Sequence, residues 1–355
     1  MRIAIVPGDG IGKEVVPATL PALRLLSDAF GLDITYDVLD WGADRWLADG
    51  TGLPDGALDR LPKEYAGVLL GALGDPRIPD MAHGREILLG LRTGLDLYVN
   101  HRPLHLGHGT IDLYRENTQG LYSQVGGSVG SRGRVNVAID ECIYTRDTVE
   151  RFVRHCLDRL RAAGRRRVTL VHKANAVPHT GRLWQEVFRT ELDRFPELTG
   201  SEEYVDAFCY HLVRDASAYE GVLAPNLFGD IISDIGAALM GGLGLACSAS
   251  VCPETGFALF EPVHGSAPDI AGRGIANPYA TAMCLAMLLD HTGHADAAAL
   301  LRDCVRRAAG TGAATPDLGG TGTTVTFMAE VTALMEKRLT TEGPRHARRL
   351  PHEEN

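Results

Sequence analysis

The chain reads as an α/β fold with a largely parallel central sheet, divided into two domains. Three observations predict this. Short apolar runs end in glycine, helical apolar periods alternate with them, and 355 residues exceed one ordinary core.

Residues 2–6 alternate little and are rich in β-branched side chains, the pattern of a buried strand. The turn PGDGIG ends that strand, and residues 13–30 then carry apolar residues at helical spacing. DITYDVL (33–39) and YAGVLLGALG (65–74) supply two more strands, the second buried and closed by glycine. Residues 80–99 read as a helix with Ile87, Leu88, Leu91 and Leu95 on its apolar stripe. RVNVAIDECIYT (134–145) alternates as a long strand, and 146–163 make a helix with a basic polar face. RRRVTLVHKANAV (165–177) is a strand that runs into a polar turn. FGDIISDIGAALMGGLG (228–244) is a helix stopped by glycines, and Ala-rich helices follow at 278–290, 295–309 and 322–337. The expected organisation is discontinuous: residues 1–98 with 241–340 form one domain and 99–240 the other. Residues 341–355 are charged and Pro-containing, the composition of a disordered tail.

A net charge of −10 gives no general attraction to nucleic acid or to an anionic membrane. The seven cysteines form no C-x-x-C pair, which suits free thiols in a reducing compartment. No leader pattern appears and no apolar stretch reaches the roughly 18 residues of a membrane span. A cytoplasmic protein is expected.

The strongest chemical signal is Asp230 and Asp234, one helical turn apart among Ile231, Ile232, Ile235 and Leu239. Two carboxylates on one face of a mostly apolar helix repel unless a cation lies between them. Oxygen-only ligands favour Mg²⁺ or Mn²⁺; the competing reading is a solvated acidic face. Arg92, Arg102 and Arg115 follow in quick succession, a set able to grip carboxylates bidentately or simply to lie on the surface. Lys173 closes an apolar strand beside Asn175, a position open to a general base or to a surface lysine. His105 and His108 have metal-ligand spacing, but their glycine context and lack of a third partner favour a plain loop.

Residues 261–278 form a long polar, glycine-rich loop, EPVHGSAPDIAGRGIANP. Amides at His264 to Ala267 are placed to cradle a pyrophosphate, and Asp269 to accept hydrogen bonds from a ribose diol. GDGIG at 8–12 departs from G-x-G-x-x-G by an early third glycine, so it is read as a tight turn into a helix.

Seven segments, in this order, resemble the β-decarboxylating dehydrogenases of isopropylmalate, isocitrate, homoisocitrate, and D-malate or tartrate. They are IVPGDGIGKEVV, LDLYVNHRP, RENTQGLY, VHKAN, NLFGDIISDIG, FEPVHGSAPDIAGRGIANP and TPDLGG. The resemblance is nearest to 3-isopropylmalate dehydrogenase. It implies that family's two-domain fold, which is not a Rossmann fold, with cofactor binding on the larger domain. The smaller domain would carry dimerisation and the metal and catalytic residues. It also implies roles by position. Arg92, Arg102 and Arg115 would bind substrate carboxylates, Tyr122 would protonate the enol, and Lys173 would be the catalytic base with Asn175 near the substrate. Asp206, Asp230 and Asp234 would hold the metal, with Lys173 and Asp206 reaching the site from the partner of a homodimer. Glu261, His264, Gly265, Ser266, Ala267, Asp269, Ile270 and Asn277 match the cofactor run, and Asp269 with Ile270 implies NAD rather than NADP.

Leu88 and Leu89 match an apolar substrate lining, and Glu86, where isocitrate enzymes carry a serine, disfavours a third carboxylate. Arg85 leaves room for a polar γ-group. The expected reaction is NAD-dependent oxidative decarboxylation of a 3-substituted malate. D-malate or tartrate oxidation is the alternative, as is a specialised-pathway relative. Departures are the short 103–115 segment, Gln119, Ala176 and VPHTG. A catalytically silent subunit is the competing class, and the presence of Tyr122, Lys173 and all three aspartates speaks against it.

Overall fold

A computed structural model describes residues 1–131 and 133–342. It divides into two units: Met1–Leu95, Gly241–Ala249 and the residues from Thr255 onward in one, Asp96–Met240 and Ser250–Glu254 in the other.

In the first unit, strand β1 (Arg2–Gly8) lies parallel between β2 (Thr35–Val38) and β3 (Val68–Ala72). Strand β12 (Ala258–Pro262) adds in parallel to β3, with Leu259 opposite Val68. Ile3, Ala4, Ile5 and Val6 are fully buried, which is why this strand lacks alternation. Helix α1 (Gly12–Phe30) buries Val15, Val16, Thr19, Ala22, Leu23 and Leu26, a stripe at three- and four-residue spacing. Helices α2 (Ala43–Asp49), α3 (Ala57–Glu64) and α4 (Ala82–Gly94) follow. Later come α9 (Tyr279–His291), buried almost all round, then α10 (Ala295–Ala308) and α11 (Thr324–Glu342). Helix α11 takes in Thr341 and Glu342, so the expected tail begins no earlier than 343, outside the described residues.

The second unit has an antiparallel pair, β4 (Val99–Leu106) and β5 (Gly109–Glu116), closed by a two-residue turn at Gly107 and His108. That tight hairpin is the structural content of the short 103–115 segment. It also corrects the loop reading of His105, which lies on β4 with Nδ1 2.9 Å from Thr110 Oγ1. Strand β5 pairs in parallel with β10 (Gly221–Ala224), β10 with β8 (Arg167–His172), and β8 with β9 (Thr199–Tyr204). Helices α5 (Arg146–Ala162) and α6 (Pro178–Leu192) enclose a core containing Phe152, Leu157, Leu170, Trp184 and Phe188. Helices α7 (Val205–Arg214) and α8 (Asn226–Met240) cover a second cluster around Leu113, Val171, Phe208 and Ile232. Strand β11 (Cys247–Val251) passes from one unit into the other along the chain.

A separate hairpin, β6 (Gly126–Ser131) with β7 (Arg134–Asp140), is exposed along its whole length. The strand expected over 134–145 stops at Asp140, where its pairing with β6 ends. The helix expected over 228–244 starts at Asn226 and ends at Met240, because Gly241 and Gly242 turn to φ values of 113° and 147°. Among the described residues, no helix is long and apolar enough to cross a membrane.

Candidate active site

Helix α8 carries Asp230 and Asp234 one turn apart, with Ile232 and Ala237 buried. The facing hairpin sets Arg115 opposite Asn100 in register, and Arg102 two residues along the same face. Both guanidinium groups therefore arrive on one side of the hairpin, against α8. Asp230 Oδ1 accepts from Arg102 Nη1 at 3.1 Å and from Arg115 Nη1, while Oδ2 accepts from Tyr122 Oη at 2.5 Å. Arg102 also donates to Ser233 Oγ at 2.6 Å and to Asn100 Oδ1 at 2.6 Å. Arg115 sits 4.8 Å from the centre of the Tyr122 ring, near enough for a cation–π contact. Gly229 makes the approach possible, since a β-carbon there would meet Arg115 Cβ at 2.7 Å.

Burial, with Asp230 next to it, holds the Asp234 carboxyl above the usual carboxylate value against the pull of the two arginines. A further cation relieves that cost, and two carboxylates one turn apart suit a hard divalent ion. Burial and the bond to Asp230 push the Tyr122 phenol up, so it is protonated at neutral pH.

Lys173, just past β8, donates to Asp206 in the first turn of α7 at 2.5 Å and lies 5.6 Å from the Tyr204 ring. Its ammonium holds the Asp206 carboxyl below the ordinary range. Asn175 is exposed in the turn that follows. No group of three His, Cys, Asp or Glu side chains converges among the described residues, so Asp206 does not join Asp230 and Asp234 within one chain.

In the other unit, Arg92 on α4 donates to Glu261 on β12 at 2.8 Å, both side chains buried and Arg92 Nε without a partner. Leu88 and Leu89 are half-buried. Glu86 is turned to the amides of Gly52 and Leu53, at 3.0 and 2.9 Å, which take up much of its charge. Arg85 donates to the Asp80 carbonyl.

The loop from 263 to 278 has open amides at its start. Among the described residues, the N–H groups of His264, Gly265, Ser266 and Ala267 donate to no backbone carbonyl. A β-carbon at Gly265 would meet nothing within 4 Å. Ala267 adopts φ 40°, the left-handed turn that aims successive amides into one concavity. Burial lowers the His264 pKa, its Nδ1 lies 3.0 Å from the Gly265 carbonyl, and its buried Nε2 has no partner. Those amides and that unpaired acceptor fit a dinucleotide. Asp269 is exposed, Ile270 half-buried, and Asn277 Nδ2 donates to Asp317 at 2.8 Å.

Two supports had no clear sequence signal. The Gly8–Gly12 turn is stapled to this loop, Ile11 N donating to the Ser266 carbonyl at 2.9 Å, and a β-carbon on Gly10 would strike that oxygen. Buried Asp9 fixes the turn, accepting from Ala43 N at 2.7 Å and Gly74 N at 2.9 Å, with His83 Nε2 at 2.9 Å. The charge of Asp9 within a glycine turn was its only mark.

The isocitrate/isopropylmalate dehydrogenase family model matches residues 2–333. The 3-isopropylmalate dehydrogenases of Thermobifida fusca and Streptomyces coelicolor are 40% and 41% identical over 86% of this chain and 90% and 91% of theirs. The isocitrate dehydrogenase of Methylococcus capsulatus superposes with TM-score 0.83 at 34% identity, covering 94% of this chain and 99% of that one. A β-decarboxylating dehydrogenase from Thermococcus kodakarensis gives 0.80 at 34%, covering 96% and 98%. With its α/β fold and a family model that spans nearly its whole length, the chain is a member of the isocitrate/isopropylmalate dehydrogenase family of NAD(P)-dependent decarboxylating enzymes.

Proposed function

We propose that the protein oxidises and decarboxylates a 3-substituted malate of the 3-isopropylmalate type, using NAD and Mg²⁺ or Mn²⁺. The observation that carries this reading is the convergence of Arg102, Arg115 and Tyr122 on Asp230, with Asp234 one turn away. Asp230 and Asp234, with Asp206 from a second copy, would hold the divalent ion, which supplies Lewis acidity toward the 2-hydroxyl and its carboxylate. Arg102 and Arg115 grip the substrate carboxylates. Lys173, in its neutral amine form, would take the proton of the 2-hydroxyl, and NAD, when bound, would supply the acceptor for the hydride of C2. The resulting 2-oxo acid carries a carboxylate β to its ketone; CO₂ departs from C3, and the Tyr122 phenol returns a proton to that carbon. NADH, CO₂ and the shortened 2-oxo acid are the products.

Glu261, His264 to Ala267, Asp269, Ile270 and Asn277 would bind NAD, the exposed Asp269 taking the ribose diol. The half-buried Leu88 and Leu89 support an apolar γ-group, and so do the curated relatives' names. A homodimer with shared sites is supported by the exposed apolar side chains of the hairpin, Val129, Val135, Val137 and Ile139. Tyr210 and Val213 on α7 and Ile231 on α8 extend that exposed set. Seven free cysteines agree with a reducing cytoplasm. NADH formation with 3-isopropylmalate, D-malate, tartrate, isocitrate and homoisocitrate, each with Mg²⁺ or Mn²⁺, tests the reading. Turnover of isocitrate above 3-isopropylmalate would refute the substrate class.

A further inference from the structure

Asn226, the first residue of α8, is fully buried and spends every polar group of its side chain on the site. Its Oδ1 accepts from Arg115 Nε at 2.9 Å and from Arg115 Nη2 at 2.7 Å. Its Nδ2 donates to the Gln119 carbonyl at 2.9 Å, at the turn that leads into Tyr122. Its backbone N–H donates to Tyr144 Oη at 2.9 Å. One amide thus ties together the metal helix, the arginine on β5 and the segment that presents the phenol.

We infer that Asn226 is a positioning residue for catalysis: it fixes the plane of the Arg115 guanidinium and the placement of Tyr122. Two of the three guanidinium nitrogens point at one oxygen, which leaves Nη1 directed at Asp230. A planar guanidinium held by Nε and Nη2 cannot rotate about its stem without breaking both bonds. The Gln119 carbonyl is held by the same amide, so a change at 226 frees the arginine and the tyrosine turn together. The consequence for turnover rests on the proposed function, in which Arg115 grips a substrate carboxylate; the consequence for Arg115 itself does not.

The test compares wild type, Asn226→Ala and Asn226→Asp by steady-state kinetics and by ¹⁵N NMR of arginine Nε–H groups, with Arg115→Lys assigning the resonance. Asn226→Ala is expected to raise KM for the hydroxy acid by roughly 10- to 100-fold. KM for NAD should stay within about twofold. The protected Arg115 Nε–H signal should vanish in Asn226→Ala and persist in Asn226→Asp, which keeps the acceptor oxygen and should recover part of the lost KM. An unchanged Nε–H signal in Asn226→Ala would overturn the inference, as would equal rises in both KM values. A wild-type chain idle on every acid would refute the proposed reaction, while the NMR comparison would still decide the role of Asn226.

Discussion

Tyr122 donates its phenol proton to Asp230 Oδ2 at 2.5 Å while the Arg115 guanidinium faces its ring at 4.8 Å. The two contacts act in opposite directions. The carboxylate, with burial, keeps the phenol protonated, and the cation favours the phenolate left when the proton departs. A proton donor needs both.

Tyr122→Phe removes the proton and keeps the ring over Arg115. The expected outcome is a fall in kcat of about 10²- to 10⁴-fold, with KM for the hydroxy acid and for NAD nearly unchanged. Steady-state NADH formation measures this. Full kcat in the variant would remove Tyr122 from the chemistry.

Lys173 and Asp206 pair with each other rather than with Asp230 and Asp234 in one chain. If two copies share each site, Lys173→Ala and Tyr122→Phe homodimers should both be inactive. Their co-expressed hybrid carries one site with both residues intact. Random pairing should therefore restore about a quarter of wild-type activity. No recovery in a purified, dually tagged hybrid would refute the shared site.

Asp269 is exposed at the loop that carries the open amides. A carboxylate there accepts from a ribose diol and repels a 2′-phosphate. Asp269→Lys with Ile270→Tyr is expected to lower kcat/KM for NAD and raise that for NADP, shifting their ratio by about 100-fold or more. Measuring both cofactors at fixed hydroxy acid gives the ratio; an unchanged ratio would remove Asp269 from cofactor choice.

Strands β1 and β3 of the first unit were legible because burial on both faces leaves an apolar run, as in Ile3 to Val6, whereas β12 was not read as a strand. The Asp230–Asp234 helix was legible because like charges on an apolar face are anomalous. Strand β4 was not, since Asn100 and Arg102 turn polar side chains inward where alternation suggests solvent. Asn226 left no trace for the same reason: a buried asparagine is placed by particular hydrogen bonds, which have no period. Glu86 shows the converse. Its position before Arg92 suggested a substrate-facing charge, but the backbone amides of Gly52 and Leu53, far along the chain, donate to it. Gln119, unusual by resemblance, exchanges two hydrogen bonds with Thr145 at the start of α5, through Nε2 at 3.2 Å and Oε1 at 2.9 Å.

Behind the site, Asp112 on β5 supports the hairpin that carries Arg102 and Arg115. Its Oδ1 lies 3.0 Å from His101 Nε2, and its Oδ2 accepts from Arg165 Nε at 2.7 Å. Burial alone pushes this carboxyl up, but His101 and Arg165 together hold it below its ordinary value of 3.8. A carboxyl with a depressed native pKa stabilises the fold above its unfolded pKa, and that contribution is lost as pH falls through the native value. Asp112→Asn is therefore expected to cost about 1–3 kcal/mol at pH 6. The gap between variant and wild type should narrow as pH drops below 3.8, where the native carboxyl itself takes up a proton. Urea unfolding from pH 6 downward, followed by tryptophan fluorescence, measures the gap. A difference that stays constant or widens toward low pH would show that the depressed carboxyl contributes nothing to stability.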